Sequence, residues 1–141
     1  VAAPDFTVYD ADGNEITLSS LLGKPAVLNF WASTCPPCRA EMPHFQAAYE
    51  ELREDVAFIM IDGVGSMNGE TQEAGETYIQ EEGYTFPVYF DTEQNAVYTY
   101  GISAFPTTYF IDADGNLVAR GMGQLSEEAL DQGLAMILPE A

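Results

Sequence analysis

The sequence is short of several residue types at once. Among 141 residues there are two cysteines, one histidine, one tryptophan and four basic side chains, against 23 acidic ones. Two cysteines are too few for a disulfide-rich scaffold. Four Lys and Arg residues within a net charge of −19 argue against a nucleic-acid-binding role, because phosphate contacts need cations. The same charge is repelled by anionic membrane surfaces. It reads first as a solvated, solubilising surface, and second as a steering field for a basic partner. No stretch approaches the ~18–20 apolar residues that span a bilayer. No basic, apolar signal segment opens the chain. The first residue is Val, so a targeting segment is expected to lie outside this sequence. Two cysteines and His44 fall short of the four ligands of a structural zinc site, and no metal is expected. His44 lies nine residues after Cys35, about half a turn round a helix at ~100° per residue, which argues against a Cys-His dyad.

What is present suits one domain over residues 1–141, with a 47% hydrophobic fraction and no repeat of domain size. Asp10-Ala-Asp-Gly-Asn14 and Asp112-Ala-Asp-Gly-Asn116 resemble each other because Asp-Gly suits tight hairpins. The first hairpin is predicted from Phe6 to Leu18, followed by a helical turn at Ser19 to Leu22. Ala26 to Trp31 is a buried strand. A helix follows from about Pro36 to Arg53, then a second buried strand from Val56 to Ile61. Residues 62–69 read as a loop. A helix is predicted from Glu70 to Glu82, with Gly75 inside it costing ~1 kcal/mol relative to Ala and Gly83 ending it. Phe86 to Phe90 is a short strand. Asp91 is placed to cap a helix from Thr92 to Tyr100. Thr107 to Ile111 and Asn116 to Arg120 form a hairpin, and a last helix starts near Ser126. This order predicts an α/β fold with a central mixed sheet flanked by helices.

Cys35 and Cys38 are three positions apart. A bridge between them closes so small a loop that the chain-entropy model assigns it only ~2 kcal/mol. Redox chemistry, by contrast, needs the two sulfurs adjacent. Cys38, Met42, Phe45, Tyr49 and Leu52 make one apolar helical stripe, so Cys38 heads a buried face. Cys35 lies outside the stripe, in the turn before it, and is read as the exposed nucleophile, with Cys38 as the shielded resolving thiol. Pro36 and Pro37 fit a first helical turn. Arg39 adds positive charge, while the acidic surroundings act the other way. Trp31 reads as packing beside the site. Asn29, on the strand feeding it, is either a hydrogen-bonded strand residue or a proton-transfer group.

The segment Val27-Leu-Asn-Phe-Trp-Ala-Ser-Thr-Cys-Pro-Pro-Cys-Arg-Ala-Glu-Met-Pro43 closely resembles the active-site segment of thioredoxin-like proteins, nearest to the extracytoplasmic TlpA/ResA/DsbE-like branch. The opening Ala3-Pro-Asp-Phe6, Leu18-Ser-Ser-Leu21 and Phe105-Pro-Thr-Thr-Tyr-Phe-Ile-Asp112 extend the likeness over nearly the whole chain. The resemblance implies a thioredoxin fold with an N-terminal hairpin and a strand-helix insertion between Gly63 and Tyr84. It implies a thiol–disulfide oxidoreductase working through Cys35 and Cys38, with no cofactor beyond their redox-active disulfide. It implies a cis bond before Pro106, a helix proline at Pro43, and a substrate-facing set of Trp31, Thr34, Pro36, Pro37, Phe105 and Pro106. Protein thiols and disulfides are the implied substrates, with a membrane thiol as electron donor. The implied place is extracytoplasmic, with any membrane anchor outside this sequence. Cytochrome c maturation and repair of oxidised proteins are the two settings, and a monomer is expected. The chain departs from the family at Thr34, where Trp is usual, and at Asn29, where thioredoxins proper carry a buried Asp. An acidic residue from the insertion serves some members, and Glu70 is the candidate here. Two other functions fit the sequence less well. A thiol peroxidase would want Thr where Ala32 stands, and a copper carrier would want Cys-x-x-x-Cys with a distant His.

Overall fold

The computed structural model describes residues 1–66 and 68–139. Seven strands form one sheet, in the order β2-β1-β5-β4-β3-β6-β7. Their ranges are β1 Thr7–Tyr9, β2 Glu15–Thr17, β3 Ala26–Trp31, β4 Ala57–Asp62, β5 Val88–Phe90, β6 Thr107–Ile111 and β7 Leu117–Met122. The helices are α1 Leu18–Leu21, α2 Pro36–Leu52, α3 Gln72–Glu82, α4 Asn95–Thr99 and α5 Glu127–Ile137. The sheet is mixed. β3 and β5 both run parallel to β4, while β6 pairs antiparallel to β3 and to β7.

β3 is central, and all six of its side chains are buried, as its unbroken apolar run requires. Alternate residues then face two cores. Val27 and Trp31, with Phe58 and Met60 of β4, face α2 and α5 through Met42, Phe45, Leu130 and Leu134. Leu28 and Phe30, with Ile59 and Ile61, face the other way onto Phe6, Leu18 and Ala96. Because β3 and β4 are parallel, Trp31 and Asp62 stand side by side at their carboxyl ends. That edge, where α2 begins, is where open α/β sheets place their chemistry.

Three helices begin elsewhere than the sequence suggested. α1 begins at Leu18, because the Thr17 hydroxyl accepts from the Ser20 amide at 3.3 Å. α3 begins at Gln72, capped by Thr71 accepting from the Ala74 amide at 3.0 Å. Glu70, expected inside its first turn, is drawn away to Ser33. α4 begins at Asn95, because Gln94 takes a left-handed φ of 58°. Asp91 still caps it over this longer reach, accepting from the Ala96 and Val97 amides at 3.1 and 2.9 Å. Gly83 ends α3 as expected, with φ 74°. Between Gly63 and Tyr84, where a strand and a helix were expected, the described residues form the helix α3 alone, and the next strand, β5, begins after that stretch at Val88. α2 continues through Pro43.

Candidate active site

Cys35 is the N-cap of α2, and the prolines occupy its first two positions, where their missing N–H groups leave no helical bond unmade. The Cys35 sulfur accepts the Cys38 amide N–H at 3.3 Å. It therefore sits on the free amides and positive end of a 17-residue helix, the placement that favours a thiolate once the pair is reduced. Cys35 and Cys38 are joined in a disulfide, their Cα atoms 5.2 Å apart. In this oxidised form the expected exposure of Cys35 is not seen: both cysteines are 0% exposed. Cys35 lies in the same cluster as Trp31, Ala32, Cys38 and Met42.

The expected substrate-facing residues divide by burial. Pro36 and Pro37 are exposed, and Thr34 is half-buried. Phe105 is half-buried and packs on the cluster that holds both cysteines. Its ring lies so close over Gly63 that a Cβ there would sit 2.7 Å from it. The Phe105–Pro106 bond is cis, and Pro106 is buried. Trp31 is buried too, its ring 6.1 Å from that of Tyr78 on α3, and its Nε1 has no hydrogen-bond partner. Outside this cluster, the guanidinium of Arg39 lies 5.7 Å from the Tyr78 ring centre. His44 faces Glu127 of α5, with Nδ1 3.5 Å from Oε2. Among the described residues, no three His, Cys, Asp or Glu side chains are grouped to hold a metal ion.

Asn29 belongs to a buried network whose other members lie far from it in the sequence. Its Nδ2 donates to Glu41 Oε1 at 2.9 Å and to Thr108 Oγ1 at 3.0 Å. The other Glu41 oxygen accepts the Leu125 amide at 2.9 Å. Burial pushes the Glu41 carboxyl up to about 7, and the hydrogen bonds from Leu125 and Asn29 oppose that rise. Asn29 has no proton to exchange near neutral pH, so the titrating group of this network is Glu41. Its signal in the sequence was its spacing: Glu41 follows Cys38 by three on the stripe that buries Met42.

Glu70 belongs to a second buried network. Its Oε2 accepts the Ser33 amide at 2.8 Å and its Oε1 accepts the Ser33 hydroxyl at 2.5 Å. Asp62 lies beside it, fully buried, and neither Asp62 oxygen has a donor. Burial first, and the neighbouring Glu70 second, push the Asp62 carboxyl up to about 10. Gly75 of α3 makes this possible, since a Cβ there would collide with Asp62 Oδ2 and lie 3.3 Å from Glu70 Oε2. The glycine that looked like a cost to α3 is the space that Asp62 occupies.

Comparison with known proteins agrees with this geometry. The model of the AhpC/TSA family matches residues 1–120. The thiol-disulfide oxidoreductase ResA of Bacillus thuringiensis is 37% identical over 138 residues, covering 97% of this chain and 77% of that protein. The exposed lipoprotein thioredoxin of Streptococcus pneumoniae superposes with a TM-score of 0.81 at 29% identity, covering 94% of this chain and 99% of that one. A putative thiol:disulfide interchange protein DsbE from Chlorobium tepidum gives a TM-score of 0.85 at 25% identity, covering 98% and 96%. With a thioredoxin fold and a Cys-Pro-Pro-Cys disulfide heading α2, the chain belongs to the AhpC/TSA family and, within it, to the ResA-like thiol–disulfide oxidoreductases.

Proposed function

We propose that this protein reduces disulfides in protein substrates outside the cytoplasm. The observation that carries the proposal is the Cys35 sulfur at the start of α2, accepting the Cys38 amide. In the reduced protein the Cys35 thiolate attacks one substrate sulfur. A mixed disulfide forms and one substrate thiolate leaves. The Cys38 thiolate then attacks the Cys35 sulfur, restores the Cys35–Cys38 bond and releases the second substrate thiolate. Two electrons pass to the substrate, and its two sulfurs take up two protons. Glu41 takes the Cys38 proton in this scheme; its carboxyl, raised by burial to about 7, and its position three residues after Cys38 on α2 support that role.

Trp31, Thr34, Pro36, Pro37, Phe105 and Pro106 frame the surface on which the substrate lies, its backbone pairing beside Pro106 as an added strand. A membrane thiol donor reduces the Cys35–Cys38 bond after each cycle, and no other cofactor takes part. The domain spans residues 1–141 and works as a monomer. The description of the pneumococcal neighbour as an exposed lipoprotein supports the extracytoplasmic setting. Cytochrome c maturation and repair of oxidised proteins both supply substrates of this kind. Reduction of insulin by the protein in dithiothreitol tests the reading, and Cys35→Ser is expected to abolish it. Equal activity in that variant overturns the nucleophile assignment. The AhpC/TSA match favours one second reading, a thiol peroxidase, which rapid consumption of hydroperoxide by the reduced protein would support.

A further inference from the structure

The Asp62–Glu70 network has no part in the exchange just described, although it lies at the same edge of the sheet. Both carboxylates are buried, at 0% and 1% exposure. Both border the bare Cα of Gly75, so their oxygens share one small space. The two Glu70 oxygens are taken by donors from a single residue, Ser33. Asp62 receives no donor at all. Two ionised carboxylates in such a space repel each other in a medium of low dielectric, and one shared proton removes that repulsion. Ser33 lies two residues before Cys35, in the loop between β3 and α2.

We propose that Asp62 and Glu70 act as a one-proton acid pair that positions the Cys35 loop: Asp62 keeps the proton and donates it to Glu70, and Glu70 grips Ser33 with both oxygens. Both are positioning residues, since they act on Cys35 through Ser33. The proposal extends the thiol–disulfide reading and rests on it. Glu73 and Glu81 of α3 line the recess that also holds Ser33, Arg39 and Tyr78. α3 brings Glu76, whose charge adds to the rise at Asp62, and Tyr78, whose hydroxyl burial pushes upward. α2 brings Arg39, which lies over Tyr78 and makes no ion pair among the described residues. β3 brings Trp31, which does not titrate. Among the described residues no cation forms an ion pair with either carboxylate.

Two measurements test this. In the reduced parent protein, carboxyl ¹³C shifts are followed against pH. One carboxyl that stays neutral at pH 7, and whose resonance disappears in Asp62→Asn, is expected. If Asp62 and Glu70 both ionise in the ordinary carboxylate range, the proposal is overturned without any variant having to fold. The second measurement is the rate of Cys35 alkylation against pH. Asp62→Asn keeps an N–H donor to Glu70 and is expected to retain the parent midpoint and rate. Glu70→Gln replaces one acceptor oxygen with a donor. It is expected to shift the midpoint and slow alkylation about fivefold, the equivalent of the ~1 kcal/mol of one positioned hydrogen bond. A Glu70→Gln profile that overlays the parent's also overturns the proposal. Insulin reduction is run alongside. A parent inactive on insulin, yet showing the neutral carboxyl and the Glu70→Gln shift, would defeat the substrate reading and leave the positioning pair standing.

Discussion

Glu41 of α2 and Asp62 at the end of β4 are both buried acids, and they are treated very differently. Each Glu41 oxygen has a donor, one from Asn29 and one from the Leu125 amide. Its carboxyl rises only to about 7. Neither Asp62 oxygen has a donor, its nearest charged neighbour is another carboxylate, and it rises to about 10. Both side chains are fully buried, so the difference comes from the donors at Glu41 and from the neighbouring Glu70 and Glu76 at Asp62. A buried carboxylate served by hydrogen bonds is poised to exchange a proton near neutral pH. One facing a second carboxylate holds its proton and becomes part of the architecture.

The comparison is broken or sharpened first through pH. The folded-state affinity of Asp62 for its proton is raised, so its contribution to stability is complete below the unfolded value of ~3.9 and is lost as pH rises toward about 10. Within that window the native state holds a proton that the unfolded chain has released. Stability therefore falls by about 1.4 kcal/mol per pH unit from this group. Glu41 acts with the same sign, but only from ~4.3 to about 7. Asp62→Asn is expected to remove the slope between pH 7 and 9 in urea unfolding, whereas Glu41→Gln is expected to leave it in place. A parent whose stability is flat from pH 7 to 9 would erase the distinction between the two acids.

The next largest effect belongs to Gly75. At an ordinary helix position Gly→Ala gains ~1 kcal/mol. Here the new methyl enters the space of Asp62, and Gly75→Ala is expected to cost about 1–3 kcal/mol of unfolding free energy. Combining it with Asp62→Ala is expected to recover most of that loss, and a loss that persists would place the collision elsewhere.

Glu41→Gln is expected to have the smallest effect on stability, about 1 kcal/mol, because the amide oxygen still serves one of the two donors. Its larger mark should be kinetic. The step in insulin-reduction rate near pH 7 is expected to flatten, and an unchanged pH profile would take Glu41 out of the proton route.

These two sites also show what the sequence could and could not reveal. Cys35, Cys38 and the start of α2 are legible because spacing, proline placement and the apolar stripe are all local signals. The buried strands are legible for the same reason. Glu41 is not, because one acid on an apolar stripe reads as an interruption until Asn29 and Leu125, 12 and 84 residues away, are brought to it. Gly75 is visible only as a helix weakness, since its neighbour Asp62 arrives from β4. The partner of Glu70 is equally hidden in the sequence, since its two oxygens hold Ser33, 37 residues earlier in the chain. The burial of Cys35 is not legible either, because the stripe describes the helix alone, while the cluster that holds Cys35 also draws on Trp31 and Ala32 and has Phe105 packed against it.

The central claim is that Cys35 and Cys38 hold different offices in one exchange. Its most direct test is mass spectrometry of reduced Cys38→Ala and Cys35→Ala proteins mixed with a disulfide-bonded peptide. The account predicts a stable mixed disulfide on Cys35 in the first variant and almost none on Cys38 in the second. An adduct that forms as fast on Cys38 as on Cys35 would contradict it.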